Sequence, residues 1–101
     1  MIHVIATIRT AEGRRNDFLT VFRELVPLVR AEEGCIDYGP AIDVDTPIAS
    51  KPARADIVMV VERWESVSAL QAHLAAPHMK QFRDRVKEIA LGVEIQVLAP
   101  Q

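Results

Sequence analysis

Residues Ile57-Val58-Met59-Val60-Val61 form an uninterrupted apolar run that leads into Glu62-Arg63-Trp64. A strand sends successive side chains to opposite faces, so this run is apolar on both. A strand of that kind belongs in the middle of a sheet whose two faces are both covered. Five residues are far too few to cross a bilayer, which takes about twenty. The spacing therefore predicts a central strand over 57–64, and the rest of the chain has to supply its neighbours and its cover.

Neighbours are easy to find. From Ile2 to Arg9 the pattern alternates, with Ile2, Val4, Ala6 and Ile8 on one side and His3, Ile5, Thr7 and Arg9 on the other; Glu12-Gly13 breaks it. Residues 15–32 read as a helix, because Phe18, Val21, Phe22, Leu25, Leu28 and Val29 recur at three- and four-residue spacing. Pro27 inside it removes one helical hydrogen bond and predicts a kink, and Gly34 is the expected C-cap. Cys35 to Val44 is a second strand, placed at an edge or bulge by Pro40. The polar stretch 45–54 exceeds the two to five residues usual in a hairpin, and points to a lid or an arm reaching another subunit. After the central strand, Ser66 caps a short helix carrying Val67, Leu70 and Leu74. Pro77 opens another, striped by Met79, Phe82, Val86 and Ile89 and ended by Gly92. Val93–Leu98 is the last strand.

The resulting order, β-α-β-β-α-β over a single domain 1–101, is the ferredoxin-like split βαβ arrangement: an α+β fold with a four-stranded antiparallel sheet and its helices on one face. The other face, with Ile5 and one side of the 57–64 strand, needs cover too, and a homodimer packed sheet against sheet supplies it.

Composition removes several functional classes. Lys and Arg number 12 against 14 Asp and Glu, a net charge of −2, so there is no basic excess to neutralise a nucleic-acid backbone. The single cysteine, Cys35, excludes an internal disulfide. Met1–Ala6 lacks the basic and apolar regions of a secretory signal, and a cytoplasmic location is expected. Neither GxGxxG nor GxxxxGK[ST] occurs, nor CxxC, nor HExxH. An enzyme built on this chain is expected to work without a tightly bound organic cofactor.

The side chains with chemical potential are few. His73 and His78 lie five apart with Pro77 between them; ligands on one helical face would be three or four apart, so metal binding is disfavoured. A general-base role fits the neutral titration of imidazole, while for either histidine alone a surface or capping role is the commoner outcome. Glu62 and Trp64 share a strand face with Val58 and Val60. The indole could stack on a flat ligand or simply fill the core. Glu62 could be a buried acid or an ion-pair partner. Tyr38 could donate to a ligand oxygen or merely end its strand. Cys35 reads as an apolar filler, and Arg83-Asp84-Arg85 with Lys87-Glu88 as a solvated helix face.

Nearly the whole chain resembles the antibiotic-biosynthesis-monooxygenase family. The resemblance is carried by Val4–Arg9, by Glu32-Glu33-Gly34-Cys35 with Tyr38, by Glu62–Ser66 and most strongly by Ala72–Lys80. Val26-Pro27 and the long loop before the 57–64 strand tilt it toward the quinol monooxygenase branch. The resemblance implies a dimeric ferredoxin-like fold that oxidises a reduced aromatic with O2, using neither metal nor flavin. It implies that His73 or His78 acts as base or hydrogen-bond partner, that Trp64 lines the pocket, and that Tyr38 and Glu62 orient oxygens. An apolar, closed pocket lined by Trp64 and a histidine is the expected sign. Haem-degrading relatives carry an asparagine on the first strand and a histidine on the last helix; Thr7, Phe82 and Arg83 stand there instead. Two alternatives remain open. One is an isomerase acting on a phosphorylated small molecule through Arg9, Arg54 or Arg63. The other is a non-enzymatic, small-molecule-binding stress-response dimer.

Overall fold

The computed structural model describes residues 1–101. Its elements are β1 (Ile2–Thr10), α1 (Arg15–Arg30), β2 (Cys35–Ala41), β3 (Ile57–Trp64), α2 (Val67–Leu74), α3 (Pro77–Val86) and β4 (Ala90–Leu98). The strands form one antiparallel sheet in the order β2-β3-β1-β4. The ferredoxin-like α+β arrangement expected from the sequence is present. The doubly apolar run lies on β3, between β2 and β1. Pro40 falls on edge strand β2, opposite Val60, where its missing N–H costs the sheet little.

Register fixes what faces inward. Ile2 pairs with Trp64 and Arg9 with Ile57, so Val4, Ala6 and Ile8 share a face with Val58, Val60, Glu62 and Trp64, and all seven are buried. The helices close over this face. Phe18, Leu19, Phe22, Leu25 and Val29 come from α1, Leu70 and His73 from α2, and Met79, Phe82 and Val86 from α3. Phe22 stacks on Tyr38 with ring centroids 5.6 Å apart and meets the edge of Phe82 at 5.6 Å. Each such aromatic pair adds about 0.5–1.5 kcal/mol beyond the area it buries. Leu28, Val67 and Leu74, expected in the helical stripes, are instead 40% or more exposed. No helix is long and apolar enough to cross a membrane.

The opposite face carries His3, Ile5, Thr7 and Arg9 of β1 and Ile57, Met59, Val61 and Arg63 of β3, and no helix covers it. β4 is barer still. Val93, Ile95 and Val97 sit across from Ile8, Ala6 and Val4 on the helical side, yet each stays roughly half exposed because the helices lie over the other strands.

Several boundaries differ from expectation. α1 ends at Arg30, capped by Ala31, whose N–H bonds to the Pro27 carbonyl at 3.2 Å. Gly34 is therefore the turn into β2 and not a helix cap. β2 stops at Ala41, which lengthens the connection to β3. Asp43 closes the neck of that connection: it accepts from the Arg54 backbone N–H at 3.0 Å and from the guanidinium at 2.8 and 3.1 Å. Gly92 does not end a helix. It lies within β4 opposite Arg9, and a Cβ there would stand 3.4 Å from the Arg9 guanidinium.

Gly34 is where backbone freedom matters. Its φ is +85°, and a Cβ on it would lie 2.5 Å from the Ala69 Cβ, so α2 rests directly on glycine backbone. The Glu65 N–H to Gly34 carbonyl bond, 2.9 Å, fixes the same approach. Gly34→Ala would add a strained backbone and a steric clash, a loss of about 2–4 kcal/mol. We expect its urea midpoint to fall with the slope unchanged; an unaltered midpoint would show that α2 gives way freely.

Candidate active site

Four sequence-selected side chains, Tyr38, Glu62, Trp64 and His73, meet beneath α2, and a fifth, His78, stands at their edge. The strand period puts Glu62 and Trp64 two residues apart on the buried face. The Trp64 Nε1–H donates to Glu62 Oε1 at 2.8 Å. Burial pushes the Glu62 carboxyl up to about 7, more than the indole hydrogen bond draws it down, and the negative Glu32 nearby adds to the rise. Near neutrality Glu62 can thus hold or release a proton. Tyr38 faces Glu62 across the β2–β3 ladder. Burial first, then Glu62 and Glu32, raise its phenol further above the usual range, so it remains a hydrogen-bond donor.

His73 comes from the last turn of α2, which starts at the Ser66 cap where Oγ accepts from the Ala69 N–H at 3.1 Å. Its ring is 2% exposed. The ring centroid lies 4.6 Å from Trp64 and 5.4 Å from Tyr38. His78 is the second residue of α3, just after Pro77. The tight joint between the helices, with the Ala76 N–H on the His73 carbonyl at 3.1 Å, brings both imidazoles to one carboxylate.

That carboxylate is Glu32, in the turn between α1 and β2. His73 Nδ1 lies 2.9 Å and His78 Nε2 2.7 Å from the same oxygen, Oε2. A carboxylate only accepts, so His73 donates from Nδ1 and, as the neutral imidazole, leaves Nε2 bare; by the same rule His78 donates from Nε2. No side-chain nitrogen or oxygen sealed from solvent lacks a hydrogen-bond partner; the unpaired Nε2 therefore keeps a point of access. Glu32 was not singled out as a site residue from the sequence. Its only signal was its place in the Glu32-Glu33-Gly34-Cys35 segment.

Other candidates lie elsewhere. The Cys35 thiol is pushed up by burial and by the acids around it, which leaves it a poor nucleophile. Arg54 is held by Asp43, Arg63 faces Asp37 on the open side of the sheet, and Arg9 reaches the Leu91 carbonyl. These three do not converge on a phosphate site. No three His, Cys, Asp or Glu side chains are arranged to hold a metal ion. The expected pocket lined by Trp64 and a histidine is not open, because the indole is fully buried against its neighbours. A cleft of about 710 Å³ lies instead in the β2–β3 connection, along Asp43, Val44 and Ala49–Arg54. A groove of about 110 Å³ between α1 and α3 reaches the cluster only through His78.

Glu62 gives this cluster a pH signature. Its folded pKa lies above its unfolded value, so the stability it allows is complete below about 4.5 and is lost as the pH rises through about 7. The loss amounts to up to about 3 kcal/mol. Urea midpoints of wild type and Glu62→Gln should diverge across that window, in favour of the variant; parallel curves would place the ionised carboxylate in contact with water.

Comparison with known proteins matches residues 1–85 to the family Antibiotic biosynthesis monooxygenase. The chain is 39% identical over 102 residues to Escherichia coli YgiN, named "Probable quinol monooxygenase YgiN", covering 99% of this chain and 98% of that one. Among solved structures, PA3566 from Pseudomonas aeruginosa superposes with a TM-score of 0.78 at 26% identity, over 99% of this chain and 93% of that one. A conserved protein from Methanosarcina mazei Go1 shares the fold, with a TM-score of 0.82 at 24% identity over 99% and 92% of the two chains. These likenesses span the strands and helices that assemble the Glu32, His73 and Trp64 cluster, and the chain belongs to the antibiotic biosynthesis monooxygenase family.

Proposed function

We propose that this protein is a cofactor-independent monooxygenase that oxidises a quinol, or a similarly reduced aromatic, with O2. The observation that carries the reading is a buried imidazole, His73, held by Glu32 against the face of Trp64 with its Nε2 unpaired. A quinol needs little help to reduce O2 once deprotonated, since the anion is itself electron-rich. A protein then has to bind a flat ring, accept its proton and keep water out. Trp64 supplies the flat surface, His73 Nε2 the proton acceptor, and Tyr38 and Glu62 the hydrogen bonds to substrate oxygens. His78 stands behind Glu32, 25% exposed at its side chain, and serves the same proton. Family membership and the 39% identity to a protein named as a quinol monooxygenase support a monooxygenase activity. Because Trp64 is fully buried, a substrate ring reaches it only as the side chains packed on it shift.

The test is O2 uptake by metal-stripped protein with a panel of naphthoquinols and benzoquinols, autoxidation subtracted. We expect saturable uptake, and a kcat lower by about 10²–10⁴-fold in His73→Ala. A smaller loss is expected in His78→Ala. No uptake above background across the panel would overturn the reading.

We further propose that the site works within a homodimer joined through the open sheet face. The molecule is a slab of 36 × 36 × 20 Å, so a broad face readily provides the about 800 Å² per partner of a stable interface. Ile5 and Val61 pair at its middle. Sedimentation equilibrium should give twice the 11.3 kDa chain mass for wild type and a single chain mass for Val61→Asp. A monomeric wild type would refute the assembly.

A further inference from the structure

Glu32 does more than orient a ring, because one of its oxygens sits between two imidazoles of very different exposure. His73 is 2% exposed and His78 25%, and both lie within 2.9 Å of Glu32 Oε2. We propose that Glu32 is a proton-passing residue, linking the buried His73 to solvent through His78, so that the site exchanges protons with bulk water while the rings above it stay closed. The direction of net flow rests on the oxygenase reading; the relay itself does not.

The steps balance. A proton arrives on His73 Nε2, and the proton on Nδ1 leaves for Glu32. The His78 ring, whose Nε2 carries the proton donated to Glu32, turns so that its bare Nδ1 faces the carboxyl, takes the proton there and sheds its Nε2 proton to water. One proton enters at the buried end and one leaves at the exposed end, with no electron moved. When reduced oxygen takes up a proton in the second half of the reaction, the same steps in reverse restore both tautomers. Without the relay, a proton on His73 can leave only by Nε2, the atom at which it arrived. Hydrogen-bonded carboxylate and imidazole groups at 2.7–2.9 Å are at the separation over which such transfers take place.

Glu32 acts through His73 and is thus a positioning residue, so its test must separate passing a proton from holding a ring. Exchange of the His73 Nδ1–H with solvent, read by ¹⁵N–¹H NMR on the intact protein without substrate, does so. Glu32→Gln can keep both contacts, its carbonyl accepting from His73 and its amide donating to His78, but it cannot carry a proton. His78→Gln cuts the outer link and leaves Glu32 in place. We expect exchange to slow at least tenfold in both variants, while the Trp64 indole N–H keeps its wild-type protection. A merely structural role predicts the opposite sign, since a loosened ring exchanges faster. Unchanged or faster exchange in either variant would overturn the relay. Slowed exchange in a protein that oxidises no quinol would keep the relay and remove the oxygenase reading. Unslowed exchange with quinol oxidation intact would do the reverse.

Discussion

A carboxylate in a row of core side chains is the constraint around which the rest of this structure is arranged. A strand has a period of two, so burying Val58, Val60 and Trp64 forces Glu62 inward as well. An acid there must be neutralised or hydrogen-bonded. The Trp64 indole answers part of that need at 2.8 Å, and the raised proton affinity answers the rest. The indole is in turn held by the bond, and the His73 ring packs on it with centroids 4.6 Å apart. The bond between one buried acid and one indole thus sets the floor on which His73, oriented by Glu32, and α2, seated on Gly34, come to rest.

The second acid, Glu32, plays the complementary part. Glu62 is enclosed by rings and strand backbone, whereas Glu32 stands at a chain turn and gathers groups from two helices. The pair puts two acidic positions on either side of the Trp64–His73 stack, one inside the core and one leading out of it. Two environments for the same functional group are the usual way a small site separates holding a substrate from moving its protons. In a chain of 101 residues the cluster assembles from a small part of the fold: every side chain in it comes from β2, β3, the turn before β2, or the helices that follow β3.

Most of the fold was legible, because it rests on local periodicity. The alternation at Ile2–Arg9 and the doubly apolar 57–61 run gave strand identity and the central place of β3. Ser66 and Pro77 marked helix starts where the structure has them. Glycines were harder, since a sequence shows that a side chain is absent but not what fills the space. Gly34 read as a helix cap and serves as the seat of α2; Gly92 read as a helix end and makes room for Arg9. The candidate cluster was legible but for its link: Tyr38, Glu62, Trp64, His73 and His78 stood out in the sequence, whereas Glu32 lies 41 and 46 residues from the histidines it joins. The spacing rule that set His73 and His78 apart holds only within one continuous helix. Once the chain breaks at Pro77, a separation of five brings the two rings to a common partner.

The bareness of β4 divides the molecule along its sheet order. No residue of the cluster comes from β1 or β4; all lie on the β2–β3 side. β4 pairs only with β1 and most of its side chains are open to solvent, the setting in which local opening needs less than global unfolding. Fraying of that edge would break no contact within the Glu62–Trp64–His73 stack. Change at the β4 edge is thereby separated from the Glu32–His73–Trp64 cluster at the other edge, and substitutions in the two halves should act independently of one another.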